Sequence, residues 1–328
     1  MTPILIAVIL LALVFDFLNG IHDSSNVVAT MISSRAFSPR VALGATAIAN
    51  FTGPLIFGVA VATTIGHDVV APDRINIQVI LAALTSAILW DVLTWFLGFP
   101  SSSSHALIGG LVGAVVMDAG WHAILFDGLL KVLIPLFTSP VIGFLIGFFL
   151  LKIILKLSWD ATPRINIFFK RSQIVTGIAL ALSHGTNDSQ KTMGIITLAL
   201  VTSGFLKVFE VPLWVILMCA TMIAAGTAVG GWRLIRTLGG KIFKIRPLDG
   251  FTAQLASSAV IIGASLIGGP VSTTQVVSSS IMGVGASERA NKVRWSVAQE
   301  IAVAWLLTIP ASALVAALLY FMLFRFIR

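Results

Sequence analysis

Two short polar stretches lie within long apolar runs, and each contains one carboxylate. NGIHDSSN covers residues 19–26 and SHGTNDSQK covers residues 183–191. A carboxylate within a membrane span costs about 2.5–3.5 kcal/mol, so Asp23 and Asp188 predict a binding centre. Carboxylate and amide oxygens suit hard cations, whereas a lysine and free backbone N–H groups suit an anion. The alternative for each aspartate is that it caps a helix and binds no ligand. The alternative for Lys191 is that it pairs with Asp188 alone and binds no anion.

Two further stretches place hydroxyl groups directly after a helix-breaking proline. They are GFPSSSSHALIGGLVGA at residues 98–114 and GGPVSTTQVVSSSIMG at residues 268–283. Hydroxyls at such a break cap the next helix and face whatever binds there. Each has the alternative of packing helices together or bonding back to the preceding turn. The candidate hydroxyls belong to Ser101, Ser102, Ser103, Ser104, Ser272, Thr273 and Thr274.

The four stretches form two copies of one pattern. Aligning Asp23 with Asp188 also pairs two glycines and two serines, and Pro100 pairs with Pro270 at a nearly equal offset. Two motifs that recur in the same order at matching separation predict an internal duplication. The predicted division is a first repeat at 1–155, a linker at 156–172 and a second repeat at 173–328.

The composition requires a membrane environment. The chain has 328 residues, of which 57% are hydrophobic and 10% charged, against about 25% charged in soluble domains. Because lipid cannot satisfy backbone polar groups, the spans are expected to be helices. The sequence therefore predicts an all-α integral membrane protein of the cell inner membrane. The net charge of +8 lies in loops beside the spans, so orientation in the bilayer explains it better than a nucleic-acid partner.

Each repeat is predicted to contain a broken span, a span, a re-entrant helical hairpin and a final span. Gly20 and Asp23 predict the break in the first half, because glycine before Asp, Ser or Asn is typical of a helix end and a new N-cap. Asp188 and its neighbours predict the same break in the second half. A helix that restarts within the membrane would point free N–H groups into a cavity. The predicted ranges are 4–33, 41–66, 75–117 with its turn near Pro100, and 129–155, then 173–202, 211–231, 249–284 and 295–324.

Equivalent loops carry opposite charge, which predicts that one half is inverted in the membrane. Loop 67–74 has two aspartates and one arginine, whereas loop 233–246 has five basic residues. Since Lys and Arg mark the cytoplasmic side, the linker is predicted to be cytoplasmic and both termini outside. Arg325 and Arg328 disagree with this orientation. Inverted repeats are typical of secondary transporters, whose sites lie where the repeats meet at the membrane midplane.

At these motifs the sequence resembles the inorganic phosphate transporter (PiT) family of secondary carriers. The resemblance implies uptake of inorganic phosphate by symport with sodium or protons, without enzymatic activity and without a cofactor beyond the coupling ions. It also implies an inverted-repeat helical fold, outside termini and a homodimer with a moving transport domain. The matching segments are FDFLNGIHDSSN, GFPSSSSHALIGG, LSHGTNDSQKTMGIITLAL, WRLIRTLGGKI and GGPVSTTQVVSSSIMGVGA.

The resemblance also assigns residues. Asp23 and Asp188 match the essential aspartates of the family, and the hairpin hydroxyls match its anion-binding serines and threonines. The predicted phosphate-binding residues are Ser24, Ser25, Asn26, Ser101, Ser102, Ser103, Ser104, Ser189, Gln190, Lys191, Ser272, Thr273 and Thr274. The predicted sodium ligands are Asp23, Asn26, Asn187 and Asp188.

Two positions depart from the family pattern. Gln254 and Gln275 stand where a glutamate and a histidine are usual, which puts proton coupling and the usual ion site in question. His22, His105 and His184 are weaker candidates than the acids, because each could simply cap a helix.

Three other functions compete with phosphate symport. Sulfate is a substrate of some members of the family, but it lacks the O–H group that a buried carboxylate accepts from phosphate, a penalty of about 1–3 kcal/mol. An intramembrane serine hydrolase would use Ser101 or Ser104 with His105, yet adjacent helical positions do not face one another and no G-x-S-x-G elbow is present. A passive anion channel would show no concentrative uptake.

Overall fold

The computed structural model describes residues 2–70, 75–99, 101–232, 235 and 242–324. Over these residues the secondary structure is helical, without β-strands, and the predicted all-α architecture is confirmed. The longer helices are α1 Pro3–Ser33, α2 Pro39–Phe57, α3 Ile77–Leu97, α4 Ser103–Ala119, α5 Phe126–Leu157, α6 Ile165–Thr202, α7 Leu213–Val229, α8 Pro247–Leu266, α9 Thr273–Glu288 and α10 Trp295–Phe324. Short helical turns at Ala60–Thr63 and Thr64–Asp68 follow α2.

Six of these helices are long and apolar enough to cross a membrane, namely α1, α2, α3, α5, α6 and α10. The helices α4 and α7 are shorter and also apolar. Many large apolar side chains on the outside remain exposed, such as Ile48, Leu157 and Met322. An apolar exterior of this extent is what lipid contact requires. The predicted multi-pass membrane character is therefore confirmed.

The predicted breaks in the first helix of each half are wrong. Helix α1 continues through Gly20 and Asp23, and α6 continues through Gly185 and Asp188. The two glycines serve close packing instead, because a Cβ at Gly20 would lie 2.4 Å from the carbonyl oxygen of Ile223 and one at Gly185 would lie 2.3 Å from that of Asn50. The carboxylates thus project from continuous helices rather than from restarted ones.

The two halves make reciprocal contacts through small residues. A Cβ at Gly53 in α2 would lie 2.4 Å from the carbonyl oxygen of Leu182 in α6, and one at Gly226 in α7 would lie 2.0 Å from that of Phe17 in α1. Phe17 and Leu182 are equivalent under the alignment that pairs the two aspartates. The second hairpin helix of each half likewise packs on the last helix of the other half, α4 on α10 and α9 on α5. These contacts support the duplication, while the inversion and the repeat boundaries stay predictions.

Each hairpin contains the helix break that the sequence predicts, but Pro100 itself lies outside the described residues. Helix α4 begins after Ser102, whose hydroxyl accepts the N–H of His105 at 3.2 Å. Helix α9 begins after Ser272, whose hydroxyl accepts the N–H of Gln275 at 3.3 Å. Both helix starts are buried. The interior therefore holds two capped helix N-termini, one from each half, and each carries a partial positive charge.

An ion-pair cluster joins the start of α8 to the end of α9. Arg246 contacts Asp249 at 3.1 Å, and Lys292 lies 3.3 Å from Asp249 and 2.9 Å from Glu288. Burial lowers the pKa of Lys292, although the Asp249 carboxylate opposes this shift. The cluster fixes the second hairpin at the end remote from its buried tip.

Candidate functional site

The two predicted acids meet at one threonine. The hydroxyl of Thr273 lies 2.7 Å from Asp188 Oδ2 and 3.3 Å from Asp23 Oδ2. Thr274 donates to Asp23 Oδ1 at 2.8 Å. Asp23 is 3% exposed and Asp188 is 1% exposed, so both carboxylates depend on protein groups rather than water. The first turn of α9 thus joins a carboxylate from α1 to a carboxylate from α6.

Lys191 connects the second acid to both hairpin tips. Its ammonium contacts Asp188 Oδ1, Ser104 Oγ at 2.5 Å and the carbonyl oxygen of Val271 at 2.7 Å. Ser104 also donates to the Val271 carbonyl at 3.2 Å. The lysine is 2% exposed, and a buried ammonium is tolerated only when it is paired in this way. The alternative of pairing with Asp188 is therefore realised, together with contacts to the predicted anion-binding tips.

His184 belongs to this centre, although the sequence ranked it only as a helix cap. Its Nε2 lies 3.0 Å from Asp188 Oδ2 and 4.0 Å from Asp23 Oδ2. Its Nδ1 lies 3.2 Å from the Oδ1 of Asn50, whose amide donates to Thr227 at 2.8 Å. The signal for His184 was its i, i+4 spacing from Asp188 on a helix. No sequence signal distinguished Asn50 from other polar residues within the spans.

Three predicted serines face their own helix instead of the centre. Ser24 donates to the carbonyl of Ile21 at 2.7 Å and accepts the N–H of Gly231 at 2.8 Å. Ser25 donates to the His22 carbonyl at 3.1 Å, and Ser189 bonds back to the preceding turn of α6 in the same way. These three hydroxyls make the backbone contacts that the alternative describes, and their role in binding phosphate stays a prediction.

Two predicted amide residues anchor neighbouring segments. Gln190 accepts the N–H of Val61 at 2.8 Å and so positions the short helical turn after α2. Asn187 donates to Ser265 at 2.8 Å and accepts the N–H of Val271 at 3.1 Å. Both ends of the Asn187 amide are therefore engaged in holding the tip of the second hairpin, and its role as a sodium ligand stays a prediction.

The hydroxyls of the first hairpin have different surroundings. Ser101 pairs with Thr94 at 2.7 Å, Ser102 caps α4, and Ser104 contacts Lys191. Ser103 is also buried. Of the predicted hairpin residues, the structure brings Ser104, Thr273 and Thr274 to the acids and Lys191.

Gln254 and Gln275, which depart from the family pattern, form hydrogen bonds with uncharged groups. Gln254 donates to Thr30 at 2.8 Å and accepts from Thr176 at 2.6 Å, so its amide links α1, α6 and α8. Gln275 Nε2 lies 3.4 Å from His105 Nε2. These contacts satisfy the glutamines without adding charge to the interior.

The hydrolase alternative paired Ser101 or Ser104 with His105, but Ser101 bonds to Thr94 and Ser104 contacts Lys191, while His105 contacts Ser102 instead. His105 Nδ1 lies 2.7 Å from Ser102 Oγ, but this hydroxyl also accepts the backbone N–H of His105 as the cap of α4. The other ring nitrogen faces the Gln275 amide rather than a carboxylate. A nucleophilic serine needs a base that is itself oriented by a third group, commonly an acid. The pair is therefore a helix cap.

The centre combines groups for ions of both signs within a bundle of membrane helices. The side chains of Asp23, His184 and Asp188 each offer one ligand atom, and these atoms lie within 4.8 Å of one another. Lys191, Ser104 and the two capped helix starts favour an anion. A buried site of this kind in a multi-pass membrane protein defines a protein that handles ions within the bilayer.

The comparisons with known proteins identify the family. Residues 19–316 match the phosphate transporter family, and the chain belongs to that family. A "Probable low-affinity inorganic phosphate transporter" of Bacillus subtilis (strain 168) is 46% identical over 97% of this chain and 96% of its own length. Its namesake in Rhizobium meliloti (strain 1021) is 45% identical over the same shares of the two chains. These relatives are named as transporters, not as enzymes.

A solved structure shares the fold. The structure titled "The sodium-dependent phosphate transporter" superposes with a TM-score of 0.90 and covers 98% of this chain and 99% of that chain. Its sequence identity is 24%, so the likeness concerns the fold alone.

Proposed function

We propose that this protein takes up inorganic phosphate across the cell membrane by symport with sodium. The observation that carries the proposal is the contact of both acids with Thr273, beside a lysine that reaches both hairpin tips. This arrangement places ligands for a cation and an anion within one buried centre. The names of the curated relatives support phosphate as the anion.

Phosphate binds, in this proposal, between the two hairpin tips. The Lys191 ammonium exchanges part of its contact with Ser104 or Val271 for a phosphate oxygen, and the starts of α4 and α9 add their partial positive charge. Phosphate keeps a proton at neutral pH and donates it to a carboxylate. Sulfate has no such donor. A buried carboxylate oxygen beside sulfate would therefore be left unpaired, which costs about 1–3 kcal/mol. Phosphate is therefore favoured by any buried carboxylate oxygen that is not already taken up by Lys191 or by sodium.

Sodium binds at the acids and offsets the charge of the anion beside them. Hard cations prefer carboxylate, amide and hydroxyl oxygens, which Asp23, Asn26 and Thr274 supply at adjoining positions. Because coupling free energy is reciprocal, bound sodium raises the affinity for phosphate and bound phosphate raises the affinity for sodium. This mutual effect is what couples the two fluxes.

The membrane arrangement belongs to the same proposal. We place both termini outside and the linker in the cytoplasm, with the second half inverted relative to the first and with the working unit a homodimer. The reciprocal glycine contacts of the halves support the duplicated design. Alternating access then follows from movement of one set of helices against the other around the buried centre.

Transport in liposomes tests the proposal. Purified protein receives labelled phosphate or labelled sulfate while sodium and proton gradients are imposed separately. We expect phosphate to accumulate above equilibrium under the sodium gradient, with little accumulation of sulfate. Equal uptake of both anions would argue for a broader permease, and equilibration without accumulation would indicate a channel.

A further inference from the structure

The duplication places different residues at equivalent positions around the two acids. The alignment that pairs Asp23 with Asp188 also pairs Asn26 with Lys191. Both lie three residues after the acid, and therefore on the same helical face as it. The first half thus has a neutral amide where the second half has an ammonium.

The contacts of Asn26 and Lys191 are equivalent as well. Asn26 Nδ2 donates to Thr274 at 3.0 Å, and Lys191 Nζ donates to Ser104 at 2.5 Å. Thr274 and Ser104 are themselves equivalent positions of the two hairpins. The two side chains therefore occupy matching places in the structure, not only in the alignment.

Two amides on the same helical face as the first acid have side-chain oxygens without a partner among the described residues. Among the described residues, no hydrogen bond reaches the buried Oδ1 of Asn26 or that of Asn19, which lies four residues before Asp23 on the same face. Within the described chain, the ion-pair contacts of Asp23 are to His22 at 3.0 Å and to His184 at 4.0 Å, with no lysine or arginine among them. A buried carboxylate beside unpartnered amide oxygens is a donor set for a hard cation such as sodium.

The second acid already has a cation. The Lys191 ammonium contacts oxygens of Asp188, Ser104 and Val271, the kinds of ligand that a bound sodium ion takes. The position equivalent to Asn19 is His184, which faces Asp188 with a nitrogen 3.0 Å away. The second half therefore replaces the free oxygens of the first half with nitrogen groups.

We propose that Lys191 is a built-in cation that takes the place of a coupling ion at Asp188. Exchangeable sodium then binds only at Asp23, with Asn26 and Asn19 as further ligands. This inference rests on the proposed sodium symport. It narrows the sodium set expected from the sequence, because Asp188 already contacts the Lys191 ammonium and both ends of the Asn187 amide are hydrogen-bonded. It also predicts that replacing Lys191 by the asparagine of the first half creates a second sodium site.

Sodium binding to purified Lys191→Asn tests this inference independently of transport. The melting temperature is measured against sodium chloride concentration, with choline chloride at equal ionic strength as the reference. A ligand that binds the folded state raises its stability with a concentration dependence set by the number of sites. We expect the apparent number of sodium ions to rise from about 1 in the original chain to about 2 in Lys191→Asn. An identical sodium dependence in both chains would overturn the inference.

Three further variants make the result specific. Lys191→Arg keeps a cation and is expected to retain the original sodium dependence. Lys191→Gln is expected to show the same rise in the number of sodium ions as Lys191→Asn. It replaces Lys191→Asn in the experiment if the asparagine variant does not fold. Adding Asp188→Asn to Lys191→Asn should abolish the second sodium effect, whereas persistence of that effect would place the new ion elsewhere and contradict the inference.

The symport proposal and the Lys191 inference fail in different ways. Absence of a sodium effect on phosphate uptake by the original chain in liposomes would remove the symport proposal. The melting experiment would still report whether Lys191→Asn gains a sodium site at Asp188.

Discussion

Thr273 is the residue that contacts both acids. Its hydroxyl is the hydrogen-bonding group that the carboxylates of α1 and α6 share, at 3.3 and 2.7 Å. One O–H cannot donate fully to two carboxylates at once, so one of the two Oδ2 atoms that face Thr273 is free to contact a cation or a proton-carrying anion. The substrate or its coupling ion is expected to make this contact.

Replacing Thr273 by valine should therefore impair binding more than its small change in volume suggests. An unsatisfied buried acceptor costs about 1–3 kcal/mol, so we expect the apparent affinity for phosphate or sodium to fall about 5- to 150-fold. Uptake in liposomes measures this change. Thr197→Val is the matched control, because the Thr197 hydroxyl is buried without a hydrogen-bond partner, and it should leave uptake unchanged. Equal effects of the two variants would contradict a special role for Thr273.

Asp23→Asn tests the acid that has no lysine partner. We expect sodium stimulation of phosphate uptake to fall about 5- to 150-fold, the usual size of a coupling free energy of about 1–3 kcal/mol. Uptake measured as sodium replaces choline reports this loss. Asp127→Asn is the control, since Asp127 is exposed in the first turn of α5. Intact sodium stimulation in Asp23→Asn would refute the assignment of the cation to this carboxylate.

The residues of the site were only partly predictable from the sequence. The sequence identified the two acids, the hairpin hydroxyls and both possible partners of Lys191. It did not separate Ser24, Ser25 and Ser189, which bond to their own helix, from Thr273 and Thr274, which reach the acids. Local sequence shows that a hydroxyl is present, but whether its proton goes to the preceding turn or across to another helix depends on rotamer and packing.

At the scale of the helices, the sequence placed the breaks incorrectly in one pair of elements and correctly in the other. Gly20 suggested a helix end, yet Gly20 and its equivalent Gly185 permit close contact with α7 and α2. Glycine has both uses, and only the partner helix decides between them. The hairpin breaks were predictable because a proline and a capping serine occur together there.

Helix packing at Gly20 gives a prediction about folding. A Cβ at this position would lie 2.4 Å from a backbone carbonyl, so Gly20→Ala must displace α7, at a cost of about 1–3 kcal/mol or more. We expect a lower melting temperature in detergent. Gly44→Ala is the control, because nothing lies within 4 Å of a Cβ there and alanine is the better helix former. A Gly20→Ala protein as stable as Gly44→Ala would show that the helices are less closely packed than described.

Capping of α9 gives a second prediction at this scale. Ser272→Ala removes the hydroxyl that accepts the Gln275 N–H, and the loss of such a cap costs about 0.5–2 kcal/mol. Because Thr273 and Thr274 lie in the first turn of this helix, phosphate uptake should fall together with the melting temperature. The N-cap Ser38 of α2 makes no side-chain capping bond, so Ser38→Ala should change neither quantity. Unchanged uptake in Ser272→Ala would show that the Ser272 cap is not needed to position the binding site.

At the scale of the whole molecule, the predicted duplication accounts for a site that lies between the first and second parts of the chain. Helices α1 and α7 pack together, as do α2 and α6, so each half completes its packing only with the other. Two equivalent acids therefore face a common centre in the interior. The composition and repeated motifs were enough to predict this arrangement, whereas the divergence between Asn26 and Lys191 acquired meaning only once their contacts were known.

The two halves are expected to differ in their binding residues, because the site must distinguish a cation from an anion. A strictly symmetric centre would present the same ligands twice. Here the first half keeps unpartnered amide oxygens near its acid, while the second half supplies an ammonium. In the proposed mechanism, the first set of groups binds the cation and the second set attracts the anion.

The most direct test measures both fluxes at once. Liposomes containing the original chain receive labelled sodium and labelled phosphate under an inward sodium gradient, with Asp23→Asn in parallel. We predict that phosphate accumulates together with sodium and that Asp23→Asn abolishes the linked entry of both. Phosphate accumulation that proceeds at the same rate without sodium would contradict the account.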